Sequence, residues 1–201
     1  MCSSKLKNRY TFSEFLRLSI SFLFTKLFWR KAKLICYPIS VRGKRSMQYG
    51  KKLNVGYNCR FDLLNVGKTT LIIGDNCAIG DNCHIVATEK VEIGKNFLCA
   101  SKVFISDTNH GNYSGLGEVS SPDVPPSERE LISNPVRIGN NVWIGENCVV
   151  LPGSIIGDGC IIGANSVVNS TIPDNCIAVG APARVVKKYD DLNKCWSKVN
   201  K

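Results

Sequence analysis

Apolar residues return at every sixth position over most of this chain. One run of markers is Ile73, Ile79 and Ile85, and a longer one is Ile138, Ile144, Val150, Ile156, Ile162 and Val168. After a two-residue insertion at 87–88 the phase resumes at Ile93, Cys99 and Ile105. Four positions after most markers comes a second small or apolar residue: Cys77, Cys83, Phe97, Val103, Val142, Cys148, Ser154, Cys160 and Ser166. Between them lie turn formers such as "GDN", "GKN", "GNN" and "GEN". A helix does not hold a strict period of six with Gly and Asn inside it, whereas short strands joined by tight turns do.

Three such hexads close one triangular coil, and coils stack at the strand spacing of about 4.8 Å. The markers then form columns inside a narrow prism, the pattern of a hexapeptide β-helix. About five coils are expected, starting near Val55, Ile73, Ile93, Ile138 and Ile156. The first, with markers Val55, Phe61 and Val66, is the least regular. The phase sustained from 138 to 168 speaks against a β-sandwich of short strands. The prediction is an all-β domain over 51–185.

The stretch from 110 to 136 has no hexad phase and is rich in Pro, Ser and Gly. It is expected to leave the prism as an external loop, and loops of this length are usually functional. The two ends differ again. The segment from Thr11 to Pro38 has a helical pattern, with Thr11 and Glu14 spaced for a capping box and Pro38 as the stop. Its apolar run, Phe15 to Trp29, is interrupted by Arg17 and Lys26 and is too short and too charged to span a bilayer. No small-residue cleavage site follows it, so it does not read as a signal peptide. Residues 186–201 read as a short C-terminal helix.

Charge divides the chain. Of 201 residues carrying a net +10, residues 1–50 hold eleven Lys or Arg, from Lys5 to Arg45, and one acid, Glu14. The remainder holds fifteen of each sign. An electrostatic partner therefore meets the N-terminal arm, residues 1–50. That arm caps the open end of the prism, lies as a basic amphipathic helix on an anionic membrane face, or does both. Ten cysteines suggest disulfides by number, yet five of them (Cys59, Cys77, Cys83, Cys148, Cys160) occupy one slot of the repeat. They read as reduced core thiols of a cytosolic protein. With no CxxC pair, no Cys/His cluster and two histidines, a metal site is not expected, and the sequence speaks against a β-helical carbonic anhydrase, which needs three histidines on zinc.

One of the two histidines, His110, sits in "SDTNHG", where the phase breaks. With "ASKVFISDTNHG", "NVWIGENCVVLPG", "IGANSVV" and "VGAPARVVKK" following in order, the chain resembles the hexapeptide-repeat acetyltransferases over residues 50–190. It is most similar to those that O-acetylate bacterial surface polysaccharides. The resemblance implies a left-handed coil, a homotrimer with sites between neighbouring prisms, acetyl-CoA as cosubstrate and a glycan acceptor. It places the catalytic histidine at His110 and a tryptophan beside the acetyl-CoA path at Trp143. Ala100, Gly145, Gly163 and Ala164 match small positions along the pantetheine, and Arg184 and Lys187 match basic positions near the CoA phosphates, to which the clustered Lys188 is added. An acceptor-holding asparagine and aspartate of galactoside acetyltransferases fall on Gly80 and Thr88 here, and the loop is longer, which favours a larger glycan over a small free sugar.

Transfer from a thioester to a sugar hydroxyl needs a base, and an imidazole suits that task. Asp107 or Asn109 could orient the ring, as could a backbone carbonyl. His84 and Asn82 are minor candidates for acceptor contact. The expected location is cytoplasmic, with a possible peripheral hold on the inner membrane face, and no nucleic-acid partner is expected. Two other readings stay open: N-acetylation of a xenobiotic or nucleotide sugar, and a membrane-binding scaffold without catalysis.

Overall fold

A computed structural model of the chain describes residues 10–65, 67–115 and 117–199. Short parallel strands stack into three faces of a left-handed β-helix. The first coil consists of Leu34–Ile35, Ser40–Arg42 and Met47–Tyr49, one strand on each face. Five more complete coils follow, and Cys176–Val179 opens a seventh. The prism thus starts well before residue 51 and has more coils than expected. Ile35, Val41 and Met47 carry the period of six into a stretch that had read as helical. Val66 and the cations Lys5, Lys7 and Arg9 lie outside the described residues.

The inward markers make one continuous core, in which Ile85, Ile105, Ile144 and Ile162 are fully buried. The thiols share it. Cys59, Cys77, Cys148 and Cys160 each point a Sγ at a carbonyl of the next coil, at 3.0, 3.2, 3.0 and 2.9 Å. Burial pushes the thiols of Cys77, Cys148 and Cys160 above their ordinary range. No disulfide forms among the described residues.

The turns explain the "GxN" repeats. Asn76, Asn82, Asn96, Asn141, Asn147 and Asn165 all have φ of 57–59°, a left-handed conformation that asparagine tolerates better than most side chains. Asn76 donates to Asn96 and Asn96 to Asn141, each at 2.9 Å, so one column of turns is also a hydrogen-bonded ladder. The glycines allow close stacking: a Cβ on Gly145 would lie 2.6 Å from the Ala164 nitrogen.

Further elements flank the first face of the solenoid at both ends. At the start, helix α1 (Phe12–Phe28) opens with the expected capping box, Thr11 with Glu14. It ends at Phe28, ten residues before Pro38, and its C-cap Trp29 is buried in the mouth of the prism beneath the Lys44 ammonium. The helix turns its buried Ser21 and Thr25 inward. Thr25 Oγ1 accepts from the Ile35 N–H at 2.8 Å and Ser21 Oγ from the Tyr37 N–H at 3.0 Å. At the other end the expected helix is instead a hairpin, Arg184–Asp190 against Cys195–Lys198, laid antiparallel on Cys176–Val179. The Asp190 carboxylate makes its turn by accepting from the N–H groups of Leu192 and Asn193. No helix among the described residues is long and apolar enough to cross a membrane.

Candidate active site

The external loop leaves the second face after Phe104–Ser106 and returns on the third at Val136–Ile138, so it occupies 107–135. Its root is not irregular. Thr108–His110 pairs antiparallel with Leu131–Ser133, placing His110 opposite Leu131 at the outer end of a short ribbon. The His110 ring is exposed and makes no side-chain hydrogen bond among the described residues. Its carbonyl accepts from Tyr113 Oη at 2.6 Å, and Arg129 Nη1 donates to the same Tyr113 oxygen at 2.6 Å. Arg129 also donates to the carbonyls of Val124 and Pro122, tying the loop to itself. The loop encloses a cleft of ≈ 330 Å³ walled by Asn112, Ser120, Arg129 and Ile132.

Asp107 does not orient the imidazole. Its carboxylate is fully buried and accepts from the N–H groups of Thr88 (2.9 Å), Glu89 (2.8 Å) and Lys90 (2.7 Å) and from Thr108 Oγ1 (2.6 Å). It bolts the root of the loop to the coil below. Asn109 is exposed, and as the neighbour of His110 on a strand it faces the opposite side of the ribbon. The two sequence candidates for support are therefore a loop anchor and a residue that faces away from the ring.

The other candidate residues lie on the first face and the corner after it. Leu98, Trp143, Ile161, Ile177 and Lys187 form one outward column. Trp143 is 50% exposed there. Lys187 stands three strand steps beyond it, about 14 Å at the usual inter-strand spacing. Arg184 and Lys188 are on the same terminal strand and exposed. Ala100, Gly145 and Gly163 stack at the corner beside this column.

That corner contains a feature that sequence reasoning missed. Side chains one coil ahead accept the backbone N–H groups behind them: Tyr57 donates to Asp81 (2.7 Å), Asp81 to Ser101 Oγ (3.1 Å) and Ser101 to Glu146 (3.0 Å). The next member is Ala164, which has no acceptor. The N–H groups of Glu146 and Ala164 donate to nothing among the described residues. The replacement of Asp, Ser and Glu by Ala at this one turn position was the available signal.

His110 thus projects from the corner between the second and third faces, while Trp143 and the free amides stand at the first face and the corner after it. A single prism does not bring them together. His84 and Asn82 stand apart too. Asn82 is a left-handed turn residue, and His84 Nε2 contacts the Asp62 carboxylate at 3.0 Å, with its ring 5.3 Å from that of Phe104. Asp62 is also held by Arg42 and Arg60, a cluster with no counterpart among the sequence candidates. No group of metal ligands occurs among the described residues.

Residues 135–170 match a family model described as bacterial transferase hexapeptide (six repeats), and residues 70–98 match one described as hexapeptide repeat of succinyl-transferase. WbbJ of Escherichia coli K12 is named, provisionally, as a lipopolysaccharide biosynthesis O-acetyl transferase. It is 42% identical over 194 residues, which span 96% of this chain and 98% of WbbJ. The chain belongs to the hexapeptide-repeat transferase family. The galactoside O-acetyltransferase of Escherichia coli K12 is 40% identical over 122 residues, 61% of this chain and 56% of that protein. Among solved structures, a variant of AntD, an N-acyltransferase from Bacillus cereus in complex with coenzyme A and dTDP-4-amino-4,6-dideoxyglucose, aligns with a TM-score of 0.64. At 24% identity over 92% of each chain, it shares the fold of this hexapeptide-repeat transferase.

Proposed function

We propose that the protein is an acetyl-CoA-dependent O-acetyltransferase acting on a sugar hydroxyl of a bacterial surface polysaccharide or its precursor, assembled as a homotrimer. The observation that carries this reading is the division of the site. In a chain 42% identical to WbbJ, His110 and the Trp143 column occupy different corners, so one copy's histidine meets the next copy's column. Acetyl-CoA lies along that column, its pantetheine past Trp143, Ala100, Gly145, Gly163 and Ala164, and its phosphates near Arg184, Lys187 and Lys188.

His110 takes the proton of the acceptor hydroxyl as its oxygen attacks the thioester carbonyl. The negative charge that develops on the carbonyl oxygen is met by the free N–H of Glu146, a fixed donor that needs no rearrangement. The intermediate collapses by breaking the C–S bond, and the departing thiolate recovers the proton from the imidazolium. The acetyl ester leaves with the acceptor, and no residue is acylated. The Ala164 N–H, one coil nearer Lys187, serves a pantetheine carbonyl. Replacing His110 by Ala should leave folding, assembly and acetyl-CoA binding intact and lower turnover ~10²–10⁴-fold. Retention of more than about a tenth of parental turnover would remove His110 as the base.

A second reading concerns location. Helix α1 faces inward with Ser21 and Thr25 and outward with Phe12, Leu16, Ile20, Leu23 and Leu27, the last two 69% and 71% exposed. Spacings of three and four put these on one side. Beside it, Lys26, Arg30, Lys31, Lys33, Lys51 and Lys52 line a single cleft. We infer that this face lies on an anionic membrane surface. Flotation with anionic liposomes tests it. Binding unchanged by Leu16→Ser, Leu23→Ser and Leu27→Ser together, in a chain that still trimerises, would refute it. Lost assembly in that variant would mean that a second copy covers the face.

A further inference from the structure

The cluster around Asp62 lies outside the chemistry described so far. On the outer side of the second face, Arg42 donates through Nε to Asp62 Oδ1 at 2.6 Å, and Arg60 through Nε to Asp62 Oδ2 at 2.7 Å. The carboxylate itself is sequestered, with 6% of its side chain exposed, beneath guanidinium side chains that are 61% and 50% exposed. His84 closes the third side.

An arginine recruited only to neutralise a carboxylate usually grips it with two parallel N–H bonds. Here each arginine spends one. The Nη atoms of both donate to nothing among the described residues, so each guanidinium keeps four of its five N–H donors. By gripping the two oxygens of one carboxylate, the pair is held side by side with its forks turned to solvent. The two guanidinium cations and the one carboxylate leave a net +1 on a rigid wall. A structural ion pair needs neither the second arginine nor the open forks.

The position is informative as well. Asp62, Val86 and Ser106 are in register on successive coils. Asp62 is therefore two inter-coil steps, about 10 Å, below the strand from which the loop bearing His110 departs, with His84 one step below it and Arg42 three.

We propose that Arg42 and Arg60, splayed by Asp62, bind the diphosphate of an activated acceptor whose sugar reaches His110. The acceptor is then a diphosphate-linked sugar, acetylated before its incorporation into polymer. This assignment to the acceptor rests on the acetyl-transfer reading above; the anion site does not.

The first experiment is calorimetric titration of inorganic pyrophosphate into the trimer saturated with CoA, so that the cosubstrate's own phosphate contacts are filled. The parent should bind. Arg42→Gln with Arg60→Gln should weaken binding on the order of 100-fold, about tenfold for each charge-assisted contact. Because that pair strands a buried carboxylate, the triple variant that adds Asp62→Asn serves as the folding control and should show the same loss with CoA affinity unchanged. Pyrophosphate that fails to bind the parent, or that binds the triple variant equally well, overturns the proposal. The source of the diphosphate is read from competition for that site: displacement by UDP favours a nucleotide sugar, and displacement by farnesyl diphosphate but not UDP favours a lipid-linked one. Pyrophosphate binding without acetyl transfer to any diphosphate-linked sugar would leave the anion site standing and overturn its assignment to the acceptor, while acetyl transfer to the polymer alone would keep the acetyl-transfer reading.

Discussion

Extending the corner ladder by one rung should strengthen the fold and silence the enzyme. Ala164 interrupts a series in which each turn residue accepts the N–H one coil behind, at 2.7, 3.1 and 3.0 Å. Ala164→Asn supplies an acceptor without adding charge. The same geometry already exists on another corner, where Asn140 accepts the Lys95 N–H at 2.9 Å. One added side-chain-to-backbone bond contributes about 0.5–1.5 kcal/mol, which for a chain of this size raises Tm by roughly 2–4 °C per kcal/mol. The same bond occupies the Glu146 N–H. Loss of a single donor to the developing oxyanion costs ~10²–10³ in kcat. The assay is acetyl transfer with CoA affinity and Tm measured alongside, and with Ala164→Leu as a control of similar bulk and no acceptor. The reasoning predicts that Asn raises Tm and lowers kcat by the loss of the oxyanion donor, while Leu, of similar bulk at this small position of the pantetheine path, does not raise Tm and acts through weaker CoA binding. If Asn raises Tm and turnover stays within tenfold of parent, the Glu146 amide is not the oxyanion donor. Equal losses in Asn and Leu would mean obstruction of the acetyl-CoA path.

Further outcomes are expected. Asp107→Ala removes the acceptor of three backbone donors at 88–90 and should destabilise by ~3 kcal/mol or more in urea, with Asp107→Asn recovering part of it. Sedimentation at micromolar concentration should show a trimer; a fully active monomer would defeat the divided site. Among the described residues, a thiol reagent should label Cys195 quickly in the native state and the eight buried cysteines only on unfolding, because they are shielded from solvent and burial also holds the Cys77 and Cys148 thiols up. The Thr11 N–H and hydroxyl hold the Glu14 carboxyl below its usual range. The cap therefore contributes above the unfolded carboxyl pKa and fades as pH falls through the lower folded value, visible as acid fraying of α1.

The inward columns were legible because a period of six admits only one arrangement of slots, and every marker from Ile73 to Ile105 and Ile138 to Val168 is buried. The first coil was hidden by continuity of composition. Apolar and basic residues run on from Phe28 to Cys36, and the break at Trp29 depends on the shape of the prism mouth. The C-terminal hairpin was misread as helix although "DDLN" is a turn signal, since its strands are specified by the open edge they cover. At the candidate site, position along the chain was enough to put His110 at the root of the loop and Trp143 at an outward phase of the coil. It did not reveal that Asp107 serves the coil below, that two amides lack acceptors, or that Asp62 gathers arginines from two coils. Except for Arg60 with Asp62, two apart on one strand, those are relations between residues about 20 apart, invisible until stacking places them in register.

The loop bearing His110 enters and leaves without disturbing the stack around it. Val136 resumes pairing with Val91, and Asn134 returns a hydrogen bond to Asp107 across the gap. The ribbon at its root is closed on itself, and Tyr113 and Arg129 knit its interior. The solenoid therefore behaves as a chassis and 107–135 as a cartridge. On the proposed reading, exchange of that cartridge, histidine included, would change which hydroxyl is presented while the acetyl-CoA path proposed on the neighbouring copy stays as it is. Diversity of acceptors among such enzymes can then arise by swapping one closed segment, with no need to redesign a core.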